Sequence, residues 1–175
     1  MRDVGEALRD TPKMSDIAFR PIGTIYSPYA STADMPIQPR GALGITGRVE
    51  VFSEFTEGLK DLSGFSHIYL LYHFHRTTEM RLAVVPFLDS QARGVFATRA
   101  PTRPNPLGLS VVRLREVRGN VLIVENVDVL DGTPLLDIKP YVPAFDHWDV
   151  DATGWLQDKE LPAEATKSDG RFTDT

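Results

Sequence analysis

Short runs in which hydrophobic and polar residues alternate recur along most of this chain, and such alternation is typical of β-strands with one buried face. The pattern predicts strands over residues 17–27, 45–52, 67–75, 84–88, 94–98, 110–118, 121–130 and 134–140. The run HIYLLYHFH at 67–75 is the densest in aromatic residues and predicts a buried strand, whereas the run at 84–88 is the weakest.

Turn signals separate these runs. The sequence RGN at 118–120 predicts a hairpin between two β-rich runs, and the sequence DGTP at 131–134 predicts another tight turn. Apolar residues at helical spacing over 55–62 predict one short helix. Many short strands at close spacing predict a mainly β fold, either an antiparallel barrel or a sandwich, with few short helices.

The length of 175 residues and the hydrophobic content of 42% predict a single domain, expected over residues 16–150. Residues 1–15 resemble a flexible polar extension, within which Met14 is an alternative start. Residues 151–175 form a polar tail, expected to be either mobile or draped along the surface.

The chain contains no cysteine. This composition excludes disulfides, thiolate nucleophiles, cysteine zinc sites and iron–sulfur clusters, and it fits a cytoplasmic protein. The N-terminus has no apolar region typical of a signal peptide, and no run is long enough for a membrane span, so the sequence predicts a soluble protein.

The most distinctive segment is GVFATRAPTRPNPLGLS at 94–110. Its three prolines fix φ and remove three backbone donors, which predicts a stiff loop that is neither a helix nor a central strand. Such a loop would hold Arg99, Arg103 and Asn105 in fixed directions, as a binding site requires. The alternative is a surface turn whose arginines are merely solvated.

Positive charge is concentrated in residues 76–118, which hold eight arginines and three carboxylates, a net charge of +5. The other residues therefore carry a net charge of −10, because the net charge of the whole chain is −5. This asymmetry favours an anionic partner on one face, since arginine suits phosphate and carboxylate. Alternatively, Arg113 and Arg115 are exposed residues on one face of a strand.

Known nucleotide and hydrolase motifs are absent, namely GxGxxG after a strand, a Walker loop, GxSxG and HExxH. His67, His73 and His75 share one face of the predicted strand at 67–75, which would allow a metal pair. No third ligand follows nearby in the sequence, so packed or hydrogen-bonding histidines are favoured and no metal site is predicted. His75 and Arg76 stand where this strand ends, and residues in that place often meet a ligand.

The sequence LDGTPLLDIKPY at 130–141 places Asp131 and the backbone amides of Gly132 and Thr133 at one edge. Asp137 and Lys139 fall on one strand face. Two interpretations stay open: an ion pair that only stabilises, or complements for a ligand that carries both a carboxylate and a cation.

Several motifs follow one another in a characteristic order: IGTIYSPY, the loop Pro36-Ile37-Gln38-Pro39, LSGFSHIYLLYHFHR, GVFATRAPTRPNPLGLSVVRL and LDGTPLLDIKPYVP. Over residues 22–146 they resemble the YaeB-like (TsaA-like) family, typified by bacterial tRNA methyltransferase O. The resemblance implies a small antiparallel β-barrel unlike Rossmann methyltransferases, a homodimer, and S-adenosylmethionine as methyl donor. The implied activity is N6-methylation of threonylcarbamoyladenosine at position 37 of tRNA.

Carried over by motif, the positions implied to bind S-adenosylmethionine are Pro36, Ile37, Gln38, His75, Arg76, Arg99, Leu109, Asp131, Gly132, Thr133 and Pro134. Methyl transfer from a sulfonium requires alignment and exclusion of water more than a strong base. Candidates for a catalytic role are Asn105, Asp137, Tyr141 and Arg103, with His75 as a further proton acceptor. For Arg103, contact with the cofactor, bracing of the loop and contact with an RNA phosphate all stay open.

The chain departs from the family pattern at two positions, with Ile37 where many bacterial members have arginine and Arg76 where they have glutamine. Larger members carry a C-terminal domain that could help hold tRNA, and this chain ends about thirty residues after Pro143. Three functions stay open: the tRNA methyltransferase, a methyltransferase for another RNA or a small molecule, and a non-catalytic S-adenosylmethionine-binding module.

Overall fold

The computed structural model describes residues 16–32, 35–157, 168–169 and 172. Its strands are β1 (Gly23–Tyr26), β2 (Thr46–Val51), β3 (His67–His73), β4 (Ala83–Val84), β5 (Arg93–Gly94), β6 (Leu107–Arg118), β7 (Val121–Glu125) and β8 (Thr133–Pro140). Six strands close into a barrel in the order β1-β2-β7-β6-β3-β8, with every pair antiparallel, and β4 and β5 form a separate ribbon. The predicted barrel is confirmed, and a sandwich is excluded.

Helices are short. The described residues hold one α-helix, α1 (Pro143–Asp146), and the 3₁₀ helices Pro39–Ala42, Ser53–Leu59, Leu62–Gly64, Val95–Ala97 and Gly154–Leu156. The helix predicted over 55–62 is therefore wrong in type and bounds, because Asp61 adopts a left-handed φ of 66° and interrupts it. No helix in these described ranges has the length and apolar character needed to cross a membrane.

Alternating residues fill the barrel interior. Ile68, Leu70 and Tyr72 of β3 are buried inside, together with Val49 and Leu122, which have no exposed surface. The odd-numbered residues of β3 face outward and are half-buried. The prediction that 67–75 is a buried strand therefore holds only for the face that points into the barrel. The other face lies on the outside, because the barrel wall is one strand thick.

Several predicted strand limits are corrected by local backbone conformation. The first strand begins at Gly23 rather than residue 17, since Pro21 lacks the N–H that a strand ladder needs. Residues 95–97 form a 3₁₀ turn instead of a strand, which the Thr98 hydroxyl stabilises by donating to the Val95 carbonyl at 2.9 Å. The strand predicted over 121–130 ends at Glu125, because Asn126 is left-handed with a φ of 68°.

The strand predicted from residue 110 begins earlier, at Leu107, where Gly108 pairs with Tyr72 of β3. The loop prediction for 94–110 is thus wrong for 107–110, which belong to a barrel strand. The three prolines all precede this strand, so the part they stiffen is the segment 98–106, called here the arginine loop.

The registers place six strand ends at one end of the barrel, called here the upper rim. Tyr26 pairs with Arg48, Thr46 with Glu125, His73 with Leu107, and Ile25 with Thr133. The upper rim therefore gathers the last residues of β1, β3 and β7 and the first residues of β2, β6 and β8. The opposite strand ends, including His67 and Pro140, form the lower rim.

Described residues of the C-terminal segment contact the body of the protein. Trp155 Nε1 donates to the Ala97 carbonyl at 2.8 Å, and the Ser168 amide donates to the Met35 carbonyl at 2.8 Å. Phe172 packs against the cluster of Val84, Val95 and Ala100. The extension predicted at 1–15 lies outside the described residues.

Candidate functional site

Most of the predicted site residues come together at the upper rim. Pro36, Ile37 and Gln38 lie in the loop from β1 to β2, His75 and Arg76 follow β3, and Arg99 lies in the arginine loop before β6. Residues 131–134 close the loop from β7 to β8. Four connections that are far apart in sequence thus meet at one end of the barrel.

The turn at 131–134 is anchored to the end of β1. The Ser27 hydroxyl donates to the Val129 carbonyl at 2.6 Å, and the Ser27 amide donates to Asp131 Oδ1 at 3.1 Å. The Asp131 amide in turn donates to the Tyr29 carbonyl at 2.8 Å. Gly132 has a φ of 74°, which suits glycine and confirms the predicted tight turn. Asp131 thus orders the turn through its side chain.

His75 approaches Thr133 across the rim, with 3.5 Å between His75 Nδ1 and Thr133 Oγ1. The Thr133 hydroxyl already donates its proton to the Leu130 carbonyl at 2.7 Å, so its oxygen can only accept from histidine. The contact is a hydrogen bond when the proton is on Nδ1, and in that tautomer Nε2 is an acceptor. Partial burial lowers the pKa of His75, and the positive charge of Arg76 lowers it further. The neutral ring is therefore favoured.

Arg103 braces the arginine loop. Its Nη1 donates to the carbonyls of Thr98 at 2.9 Å and Val95 at 3.1 Å, with a longer contact to Ala100 at 3.5 Å. Its guanidinium also lies 5.8 Å from the ring centroid of Phe96. Of the three roles left open by the sequence, the hydrogen bonds favour bracing.

Half of the arginines in residues 76–118 are neutralised by ion pairs. Arg81, Arg93, Arg115 and Arg118 pair with Glu79, Asp89, Glu125 and Glu116, respectively. Four arginines of the segment, Arg76, Arg99, Arg103 and Arg113, form no ion pair within the described part of the chain. Arg76 and Arg99 are exposed at the upper rim. The positive charge that the sequence predicts for one face is therefore found at this end of the barrel.

A buried hydrogen-bond chain at the same end includes residues that the sequence did not single out. The Ser110 hydroxyl donates to Asp128 Oδ1 at 2.6 Å, and Tyr72 Oη lies 3.0 Å from Ser110 Oγ. Because the Ser110 proton is used, Tyr72 is the donor to Ser110. Burial raises the pKa of Asp128 to about 6, and it raises the pKa of Tyr72 as well.

Other predicted residues lie away from this cluster. Asp137 pairs with Lys139 at 2.8 Å on the outer barrel wall, so the ion-pair interpretation applies there. Tyr141 contacts Tyr69 and His67 edge-on at the lower rim. Both are therefore remote from His75.

Two predicted residues occupy intermediate positions near the upper rim. Leu109 faces outward from β6 beside Leu71, with 54% of its surface exposed. Asn105 is exposed in the arginine loop, where its carbonyl accepts from the Leu107 amide at 2.7 Å. An exposed leucine next to exposed polar groups can cover the face of a planar ligand.

The histidines of β3 are separated by its length. His67 contacts Ser66 at the lower rim, with 3.0 Å between Nδ1 and the serine hydroxyl, whereas His73 and His75 belong to the upper rim. Among the residues that the structure describes, no three histidine, aspartate or glutamate side chains cluster in a way that could hold a metal ion.

Comparison with known proteins gives consistent matches. The family described as the tRNA-methyltransferase O N-terminal domain matches residues 24–147. A probable S-adenosyl-L-methionine-binding protein of Pyrococcus abyssi is 56% identical over 89% of this chain and 85% of its own length. The tRNA (adenine(37)-N6)-methyltransferase of Escherichia coli is 40% identical over 74% of this chain. The resemblance seen in the sequence motifs is thereby confirmed.

Solved structures agree with these matches. The crystal structure of TrmO from Pseudomonas aeruginosa superimposes with a TM-score of 0.68 at 38% identity, covering 81% of this chain and 63% of that chain. The matched region makes up 60% of the Escherichia coli relative. This chain thus spans less than two-thirds of either of these two proteins.

Proposed function

The chain belongs to the family of the tRNA-methyltransferase O N-terminal domain, and on that premise we propose that it transfers a methyl group from S-adenosylmethionine to N6 of threonylcarbamoyladenosine at position 37 of tRNA. The observation that carries this proposal is the convergence at the upper rim of two exposed arginines without an ion pair among the described residues, a histidine whose pKa is lowered by partial burial, and an ordered backbone turn. The N6-methyltransferase named among the relatives supports the choice of adenosine as target.

The residues present suit the cofactor. Exposed Arg99 has no ion pair in the described ranges and suits a carboxylate, whereas exposed Leu109 suits the face of an adenine ring. The turn at Gly132 presents backbone groups for polar contacts. The proposed binding set also includes Pro36, Ile37, Gln38, Arg76, Thr133 and Pro134. S-adenosylmethionine, when bound, supplies a methyl group on a positively charged sulfur.

His75 is the proposed proton acceptor. In the proposed reaction the new bond joins the methyl carbon to N6, the carbon–sulfur bond breaks, and sulfur keeps the bonding electrons as a neutral thioether. The N6 proton goes to His75 Nε2, the ring nitrogen that the contact with Thr133 leaves as an acceptor. Asp137 and Tyr141 are less suitable because they lie on the wall and at the lower rim.

The tRNA partner is supported by exposed positive charge beside the site. Arg76 follows β3 directly at the upper rim and has no carboxylate partner in the part of the chain that the structure describes. Phosphate contacts of this kind make RNA affinity fall as salt rises. A tRNA substrate also implies a cytoplasmic location.

We propose a homodimer through the outer wall near the upper rim. Leu107 and Leu109 are 42% and 54% exposed on adjacent outward positions of β6, next to half-buried Leu71. Exposed apolar side chains grouped in this way are typical of association surfaces. Light scattering of the wild type and of Leu107→Glu tests this assembly, with a dimer expected for the first and a monomer for the second.

A non-catalytic S-adenosylmethionine-binding module is the second candidate. The Pyrococcus abyssi relative, 56% identical, is named for binding rather than for transfer. Binding of S-adenosylmethionine without transfer to any tRNA would favour this function.

Calorimetric titration with S-adenosylmethionine tests the binding site shared by both candidates. We expect wild-type binding, and a loss on the order of tenfold or more in Arg99→Ala and in Asp131→Ala. Arg118→Ala is the matched control, since Arg118 pairs with Glu116 away from the upper rim. Unchanged affinity in both rim variants would refute the assignment of the site.

A further inference from the structure

Asp128 lies within the upper rim, in the loop between β7 and the turn at 131–134. Its neighbours Val127 and Val129 are buried in the barrel core, and its own residue surface is only partly exposed. The Ser110 hydroxyl and the Asp128 amide donate to its carboxylate. These hydrogen bonds hold the carboxylate in one position.

No lysine, arginine or histidine forms an ion pair with Asp128 in the ranges that the structure describes. A buried carboxylate without a cation is costly unless something compensates it. Arg99 comes near, since its positive charge lowers the pKa of both Asp128 and Tyr72. It does not close to an ion pair, so the two opposite charges stand apart within electrostatic reach of each other.

Two separated opposite charges match a ligand group in which an ammonium and a carboxylate are attached to one carbon, as in the amino-acid end of the methyl donor. We propose that Asp128 binds the ammonium group of S-adenosylmethionine while Arg99 binds its carboxylate. The inference rests on the proposed function and adds to it a binding residue outside the set implied by the sequence motifs. The pair Asp137 and Lys139 cannot play this part, because their charges already meet at 2.8 Å.

The protonation of Asp128 gives a second consequence. The groups that face it are Tyr72 on β3, Ser110 on β6, Arg99 in the arginine loop and Tyr29 after β1. Burial raises the pKa of Asp128 to about 6, whereas a ligand ammonium stays charged through that range. Affinity for S-adenosylmethionine should therefore fall as the pH is lowered from 7 to 5.

The experiment compares three ligands by calorimetry on the full chain: S-adenosylmethionine, S-adenosylhomocysteine and 5′-methylthioadenosine. The third lacks the amino-acid end. In Asp128→Asn we expect affinity for the first two to fall on the order of 10- to 100-fold, with the third unchanged. Glu116→Gln, an exposed carboxylate paired with Arg118, is the matched control and should bind all three ligands as the wild type does.

The inference would be overturned if a folded Asp128→Asn variant bound S-adenosylmethionine with unchanged affinity. A loss of affinity confined to S-adenosylmethionine would also overturn it, because Asp128 would then interact with the sulfonium. An equal loss for all three ligands would overturn it as well, because it would indicate general damage to the site. Failure of the wild type to bind any ligand would instead refute the proposed function.

The pH titration of the wild type needs no variant and guards against misfolding of Asp128→Asn. His75 also titrates in the acid range, so the same titration in His75→Gln separates its effect. Loss of affinity toward pH 5 in both proteins supports the inference. Affinity independent of pH in His75→Gln overturns it.

Discussion

The ring of Tyr72 lies directly against Gly108, its partner across β3 and β6, and leaves no space for a side chain on the glycine. The contact places the Tyr72 hydroxyl against Ser110, two residues further along β6. A methyl group at Gly108 would force the ring to move. We therefore expect Gly108→Ala to lower the free energy of unfolding by roughly 1–3 kcal/mol, as overpacking does.

Denaturant unfolding of Gly108→Ala beside Gly94→Ala checks this expectation. Gly94 is a suitable control because an added Cβ there meets nothing within 4 Å and its φ is −60°. Equal stability of the two variants would contradict the close packing of Tyr72 on Gly108.

Arg103 and Arg99 should behave differently when replaced by alanine. Arg103→Ala removes hydrogen bonds to the Val95 and Thr98 carbonyls, so we expect a loss of about 1–3 kcal/mol of stability together with weaker binding of S-adenosylmethionine. Arg99→Ala should weaken binding with a stability change within about 0.5 kcal/mol, since Arg99 is exposed. Thermal melts and calorimetry on both variants measure the contrast. Weaker binding of Arg103→Ala at unchanged stability would instead indicate direct contact with the ligand.

The pKa of Asp128 gives a prediction for stability against pH. Burial raises this pKa from 3.8 to about 6, so the folded protein favours the protonated carboxyl. The contribution of Asp128 to the free energy of unfolding is therefore largest below pH 4, and it is lost as the pH rises through 6. Asp128→Asn should therefore be more stable than the wild type at pH 7, on the order of 1–3 kcal/mol, and the difference should shrink near pH 4.5. Urea unfolding at the two pH values measures it, and a constant difference would refute the burial of charge.

Trp155 should support the site from the C-terminal segment. Its indole donates to the Ala97 carbonyl, and the Arg93 guanidinium lies 5.7 Å from its ring centroid. Trp155→Ala should loosen residues 95–99 and weaken binding of S-adenosylmethionine several-fold, because Arg99 lies two residues beyond Ala97. Trp148→Ala, at a residue 77% exposed, is the control and should leave affinity unchanged. Equal effects of the two substitutions would contradict this role.

The barrel was predictable because alternation of buried and exposed residues follows directly from strand geometry, as β3 and β7 show. Strand limits were less predictable, since they depend on single backbone conformations. Asn126 ends β7 by adopting a positive φ, and the turn at Val95–Ala97 replaces a strand that its apolar residues favour. The position of Arg103 depends on carbonyls that this turn presents, so the sequence left three roles open.

Asp128 escaped prediction for a related reason. It stands between Val127 and Val129 in an alternating run, a pattern that predicts an exposed position on a strand. The run has in fact left the barrel at Asn126, and the side chain meets Ser110 on β6, 18 residues earlier in the chain. Asn126 is the available signal, because asparagine tolerates the left-handed conformation that ends a strand. The turn at 131–134 was predictable because its sequence requires a positive φ at Gly132.

Transfer of the methyl group itself tests the central claim most directly. The assay incubates the protein and labelled S-adenosylmethionine with tRNA that carries threonylcarbamoyladenosine at position 37, and with the same tRNA lacking the threonylcarbamoyl group. We predict label at N6 in the modified tRNA alone, and its loss in Arg99→Ala. Label in neither tRNA, with S-adenosylmethionine bound normally, would contradict the proposed enzyme and favour the binding module.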